Sequence, residues 1–302
     1  MLEVKHLAKN FGSIRAVKDV SFSVEPGTIM GFIGPNGSGK TTVFRMILDF
    51  LSPEKGGKVL WDKQPMNKKV YELVGYLPEE RGLYDKMTIE DQIVYFATLR
   101  GMKRQNVLLE IDEWMKKFAV KGNRKDKINT LSKGNQQKVQ LIATLIHRPK
   151  LVILDEPFSG LDPVNADLLK QGIIELKENG SSIIFSSHNM SNVSEICDKL
   201  AMIVNGEQVL YGTIQDVREN FGRIKIFLET DCWTVEDLEQ LEGVQTVMKT
   251  SPNNYTLILE DESYGRDLFQ KITKGQYISM FSQQPPSLEE IFKMKAGEAI
   301  HG

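Results

Sequence analysis

Residues Gly34, Pro35, Asn36, Gly37, Ser38, Gly39, Lys40 and Thr41, followed by Thr42, carry the spacing G-x-x-x-x-G-K-[ST]. Such glycines let successive backbone N–H groups turn toward one point, and a helix start behind them adds its positive end. In that setting Lys40 reaches the β- and γ-phosphates of a nucleotide, and the Thr41 hydroxyl can ligate Mg²⁺. Further along, Leu151, Val152, Ile153 and Leu154 lead into Asp155 and Glu156. An apolar strand thus delivers two acids to its C-terminal end, where open α/β sheets bind ligands. Asp155 would hold the metal through water, and Glu156 would polarise a water attacking the terminal phosphate. Many buried strands end in acids. Paired with a phosphate loop, this one becomes the second half of a nucleotide site.

A third stretch, Leu131, Ser132, Lys133, Gly134, Asn135, Gln136, Gln137 and Lys138, is almost wholly polar and lies just ahead of the apolar strand. Ser132 is a natural helix N-cap, which leaves the amides of residues 133–135 without helical acceptors. A polyanion suits them, and the helix dipole adds to the attraction. A merely solvated helix start would be equally polar.

The elements that must position these groups are readable from periodicity. Residues 2–25 alternate like strands, and Pro26 and Gly27 supply a turn. A short apolar strand over 28–33 runs into the glycine-rich loop. A helix follows with Val43, Met46, Ile47 and Phe50 on one face. Residues 57–77 read as strands, 88–118 as helical, 151–154 as a buried strand, 167–179 as helix and 182–186 as strand. The pair Asn205 and Gly206 predicts a hairpin between strands at 200–204 and 208–211. Beyond Phe221 and Gly222 the character changes. Strand 223–229, helix 235–241, strands 244–249 and 255–259, helix 264–273 and strand 277–282 spell a small βαββαβ unit. A final amphipathic helix follows Pro285, Pro286 and Ser287.

A chain of 302 residues with 41% hydrophobic and 26% charged side chains accommodates one large domain and a smaller one. Its net charge of −2 and pI near 6.2 give no global nucleic-acid footprint, and no nucleic acid is expected as a partner. Cys197 and Cys232 form neither a disulfide framework nor a zinc spacing, and read as structural thiols of a reducing compartment. No apolar run approaches the ~20 residues that span a bilayer. Glu3, Lys5 and His6 interrupt any signal-peptide pattern. A cytoplasmic chain is expected, and any membrane work would fall to another chain.

Taken in order, these motifs resemble those of the ATP-binding subunits of ABC transporters, over residues 1 to about 215. Residues 131–135, Leu-Ser-Lys-Gly-Asn, resemble the family's Leu-Ser-Gly-Gly-Gln signature. Ser159, Gly160, Leu161 and Asp162 resemble its D-loop. His188, after the strand 183–187, sits where the family has its switch histidine, and Phe11 falls where an aromatic residue stacks on adenine. The resemblance implies an α/β fold: a P-loop NTPase core with an antiparallel β subdomain and a helical subdomain over residues 1–220, plus a C-terminal α+β domain over 221–302. It also implies an ATPase with ATP and Mg²⁺ as cofactors. Two cassettes, identical or not, would pair head to tail, so that Ser132 and Gly134 cover the ATP held by the partner and Asp162 links the two sites. Glu156 would be the general base, and His188 would contact the γ-phosphate. A membrane-spanning permease subunit would be the partner, holding the chain peripherally on the inner face of the cell membrane.

The sequence departs from the family's pattern at Lys133 and Asn135. Lys133 either adds a cation near the γ-phosphate or points to solvent. Glu79 and Glu80 follow Pro78 where the family has a glutamine that touches the metal; a carboxylate at Glu79 can serve as a metal ligand alongside Thr41 and Asp155. The run Tyr76, Leu77, Pro78, Glu79, Glu80, Arg81, Gly82, Leu83 and Tyr84 resembles the bacterial branch typified by sodium-export ATP-binding proteins. Tyr84, Tyr95 and Phe96 lie in the segment that faces the permease in related proteins, or else pack the helical subdomain. A soluble ABC-type ATPase acting on ribosomes or DNA is the alternative, but those usually carry two cassettes or long charged insertions, and this chain has neither. A regulatory module with little hydrolysis is disfavoured by Glu156.

Overall fold

The computed structural model describes residues 1–80, 82–275 and 277–301, with side chains up to residue 297, so Arg81 lies outside the described residues. The elements are β1 (Leu2–Phe11), β2 (Ile14–Val24), β3 (Thr28–Ile33), α1 (Lys40–Ile47), β4 (Lys58–Trp61), β5 (Gln64–Pro65), α2 (Lys68–Tyr71), β6 (Val74–Leu77), α3 (Ile89–Leu99), α4 (Arg104–Lys117), α5 (Lys133–Leu145), β7 (Leu151–Leu154), α6 (Pro163–Glu178), β8 (Ser182–Ser187), α7 (Met190–Ile196), β9 (Lys199–Val204) and β10 (Glu207–Thr213), then α8 (Ile214–Glu219), β11 (Lys225–Glu229), α9 (Val235–Glu239), β12 (Val244–Ser251), β13 (Asn254–Leu259), α10 (Tyr264–Thr273), β14 (Met280–Gln284) and α11 (Leu288–His301). They fall into two compact units, carried by Met1–Gly212 and Thr213–Gly297.

In the first unit the strands run in the order β5-β4-β1-β2-β10-β9-β3-β8-β7-β6. Strands β9, β3, β8, β7 and β6 are parallel. The central members β7 and β8 are buried along their whole length, as strands covered on both faces must be. Parallel strands all end on the same side, so the loops after β3, β6, β7 and β8 converge on one edge. The outer strands β1, β2 and β4 are antiparallel, and β1 and β2 bury some residues and expose others along their length. Phe22, Phe32 and Phe44 meet as tilted pairs at 5.5 and 5.3 Å in the core beneath α1. Asn205 and Gly206 both take positive φ, 49° and 78°, as the tight β9–β10 hairpin requires.

The structure corrects several element readings. α1 ends at Ile47, and Phe50 is 64% exposed rather than part of its buried face, because Asp49 at φ 60° turns the chain away. The helical stretch 88–118 is two helices, broken at residues 100–103 where Gly101 takes φ 87°, and Leu109 is exposed. Residues 57–77 include the single-turn helix α2, capped by Asn67. α6 begins at Pro163, four residues before the expected start at 167, because Asp162 caps it and a proline suits the first turn.

In the second unit the strands are ordered β12-β13-β11-β14, all antiparallel. Ile226, Leu228, Leu257 and Leu259 share one face, where they pack against Leu238 of α9 and Leu268 and Ile272 of α10. The last strand begins at Met280, three residues later than expected; Tyr277 lies outside it and is exposed.

Candidate nucleotide site

The phosphate loop bridges β3 and α1. Gly39 takes φ 107°, and no described side chain caps the first turn of α1, so its orphan N–H groups are left for an external acceptor. A Cβ at Gly39 would stand 2.6 Å from the Ala16 carbonyl oxygen, and one at Gly34 2.1 Å from that of Ile203. Both positions therefore admit only glycine. Lys40 is buried, and its Nζ donates to the carbonyls of Gly34 at 2.7 Å and Pro35 at 3.1 Å. Burial pushes its pKa down, while Glu156, Asp155 and Glu79 pull it back. An ammonium so placed, held only by neutral carbonyls, is ready for an anionic ligand. The buried Ser38 hydroxyl has no hydrogen-bond partner among the described residues, a further polar atom in the cradle that a phosphate could satisfy.

Asp155 and Glu156 leave the end of β7 beside this loop. Asp155 Oδ2 accepts the Thr41 hydroxyl at 2.9 Å, and Oδ1 accepts the Ser186 hydroxyl at 2.6 Å. Ser186 Oγ also accepts the Glu156 N–H at 2.8 Å. Glu156 itself sits at φ 49°, which costs a non-glycine residue on the order of 1–3 kcal/mol and persists only when its neighbours enforce it. Gln137, from α5, donates its Nε2 to the Pro157 carbonyl at 2.6 Å. His188 Nδ1 lies 3.0 Å from Glu156 Oε2 while the imidazole stays 66% exposed. A pocket of about 100 Å³ joins Glu79, Asp155, Glu156, Gln137 and Gln140. Thr41, Asp155 and Glu79 offer the hard oxygen donors that suit Mg²⁺. Among the described residues no group of three or more His, Cys, Asp or Glu side chains forms a cage, and Mg²⁺ is usually completed by substrate phosphates and water.

Phe11 closes the β1–β2 hairpin opposite Ile14, is 46% exposed, and has Lys9 Nζ 5.8 Å from its ring centre. Ser132 caps α5 by accepting the Asn135 N–H at 3.4 Å. The Asn135 side chain is occupied locally, accepting the Lys121 N–H at 3.0 Å and donating to Ser132 Oγ at 3.2 Å. Lys133 is exposed. A Cβ at Gly134 would meet nothing described within 4 Å. Asp162 caps α6 by accepting the Asn165 N–H at 3.0 Å, which lowers its pKa. The pocket beside Asp155 thus gathers Glu79 and Glu156 but not Phe11, Ser132, Gly134 or Asp162. Sequence reading missed Ser186 and Gln137; Ser186 was signalled by a hydroxyl at the end of a buried strand, whereas Gln137 lay in a polar run where one amide does not stand out.

Residues 17–159 match the ABC transporter family, and residues 212–296 match the C-terminal domain of ATP-binding protein DrrA1-3-like chains. The ABC transporter ATP-binding protein YhaQ of Bacillus subtilis is 39% identical over 98% of this chain and 99% of its own. This chain belongs to the ATP-binding subunits of ABC transporters. The lipopolysaccharide export system ATP-binding protein LptB of Escherichia coli is 28% identical to this ABC subunit, over 76% of this chain and 98% of its own. A solved structure of an ATP-binding subunit of an ABC transporter superposes with a TM-score of 0.69 at 29% identity, covering 74% of this chain and 93% of the other. As an ABC cassette the protein is an ATPase, and its ABC-type core, followed in the chain by a small α+β unit, is the fold expected from sequence.

Proposed function

We propose that this cassette pairs head to tail with a second one, of its own kind or another, around two Mg·ATP, and that closing and reopening the pair drives an export-type permease. The observation that carries the pairing is the contrast at Gly134. Gly134 is the second residue of α5, a place where the helix itself has no need of glycine's backbone freedom. Nothing described in this chain crowds the position, so the need for a bare backbone there is referred to something outside the chain. Ser132 and Gly134 would then meet the γ-phosphate held by the partner.

Within one chain, Phe11 stacks on adenine, residues 34–42 hold the phosphates, and Thr41, Asp155 and Glu79 hold the metal, which when bound offsets charge on the terminal phosphate. Glu156 takes the proton of the attacking water, and His188 contacts the γ-phosphate. Asp162 links the two sites. No described helix is long and apolar enough to cross a membrane, in keeping with a separate permease that would hold the cassette at the inner face of the cell membrane. The outward direction of transport is supported by LptB, which is named for an export system.

Glu156→Gln tests the reading. Turnover should fall ~10²–10⁴-fold with ATP affinity retained, and sizing with ATP should reveal an accumulated dimer. Turnover within a factor of about two of the parent would remove Glu156 from its role; a monomer at saturating ATP would remove the pairing.

A further inference from the structure

The carboxylate assigned as base is carried by a residue whose backbone is in the left-handed region. Two side chains brace the backbone at this turn, one at its own N–H and one at the carbonyl of the following residue. Ser186 Oγ takes the N–H of Glu156 from one side at 2.8 Å. On the other side the next carbonyl, that of Pro157, receives the Gln137 amide at 2.6 Å. Gln137 is 92% buried by its 8% exposure, and its amide lines the same pocket as Glu79, Asp155 and Glu156. It sits one turn into α5, the helix whose first turn carries Ser132 and Gly134. An apolar side chain of the same length would fill this space equally well. What glutamine adds is a donor one peptide away from the strained residue.

We propose that Gln137 is a positioning residue for hydrolysis: its amide fixes the Pro157 carbonyl and so aims the Glu156 carboxylate, tying the base to the helix that presents Ser132 and Gly134. The inference rests on Glu156 being the base, as assigned above. The bond runs from a rigid helix to the turn that Glu156 occupies, so a shift of α5 is transmitted to the carboxylate of the same chain. Ser186 differs in role because it also holds Asp155, and its loss would disturb the metal ligand as well as the base.

The test is steady-state ATPase of the full chain. Gln137→Met removes the donor and keeps the length. It should lower kcat about ten- to a hundredfold, the scale of a misplaced catalytic group, with KM for ATP unchanged. Placed in the Glu156→Gln background, the same change should have no further effect, because a residue acting through Glu156 has nothing left to aim. Gln137→Asn keeps an amide donor on a shorter arm and should give a partial rescue, with kcat between those of the parent and of Gln137→Met. A raised KM with unchanged kcat, an equal loss in both backgrounds, or Gln137→Asn turning over no faster than Gln137→Met would each overturn the proposal. If Gln137→Met fails to fold, Gln137→Asn measured with and without Glu156→Gln decides. Parent-like turnover of Glu156→Gln would instead strike at the base assignment and is read separately.

Discussion

Two corners of the first unit hold the residues assigned to the chemistry, and they are built in opposite ways. Asp155 and Glu156 are buried or nearly so: hydroxyls from Thr41 and Ser186 bond the Asp155 carboxylate, Ser186 also takes the Glu156 N–H, His188 meets the Glu156 carboxylate, and the Gln137 amide holds the next carbonyl, that of Pro157. Around Ser132 and Gly134 the surface is open, and the polar groups bond mainly to one another. The first corner is over-determined by its own chain, which is how it sustains the strained backbone at Glu156. The second holds a helix start with a bare glycine that nothing described in its own chain crowds, the corner to which the proposed pairing would bring the partner's ATP. A residue whose neighbours explain it is structural or pre-organised; a residue they leave unexplained points outward.

Gly134→Asp is the strongest way to break that contrast. It adds bulk and a negative charge where a phosphate is proposed to approach. ATP-driven pairing and hydrolysis should both be lost while the monomer still binds ATP, as read by sizing, turnover and nucleotide titration. Loss of binding in the monomer would mean that the open corner serves its own phosphate loop.

A pair of alanines sharpens it next. At Gly39, φ 107° and the Ala16 carbonyl 2.6 Å from any Cβ predict that Gly39→Ala destabilises the fold by about 1–3 kcal/mol and weakens nucleotide binding. At Gly134 alanine meets nothing described within 4 Å, so Gly134→Ala should leave stability unchanged or raise it by less than the roughly 0.5–1 kcal/mol of a mid-helix site. Thermal unfolding of the two variants should move in different directions; equal losses would erase the distinction.

The smallest effects are expected on the side assigned to the permease. Tyr84 is 50% exposed and packs edge-on to Tyr95 at 5.8 Å and stacked on Phe96 at 6.3 Å, so the three rings form one cluster with Tyr84 outermost. Tyr84→Ala should weaken association with a copurifying permease and spare basal turnover. Glu79→Ala should spare association and reduce stimulation by the permease. Reconstitution with binding and turnover measured separately checks both. Parent-like binding by Tyr84→Ala would move the docking surface elsewhere, and normal stimulation of Glu79→Ala would end its coupling role.

Much of this architecture was already written in local chemistry. The phosphate loop, the acids ending an apolar strand, the Ser132 cap and the Asn205–Gly206 turn rest on properties of a few neighbouring residues: glycine's access to positive φ, a side-chain oxygen within reach of an N–H, an unbroken apolar run. Periodicity served less well where a turn intervened. Phe50 kept the helical spacing of Val43 and Ile47, yet the chain had already turned at Asp49. Leu109 fitted an apolar face that α4 exposes. What only the tertiary structure decided is which distant residues become partners. Ser186 comes to Asp155 and Glu156 because β8 lies beside β7 in parallel register, and Gln137 reaches Pro157 because α5 packs on β6, the parallel neighbour of β7. These partners lie about twenty to thirty residues away along the chain. Local sequence carries the preference of each segment for helix, strand or turn, but a contact between segments depends on the packing of the whole sheet, and it is there that Glu156 acquires its backbone strain and the two bonds that hold it.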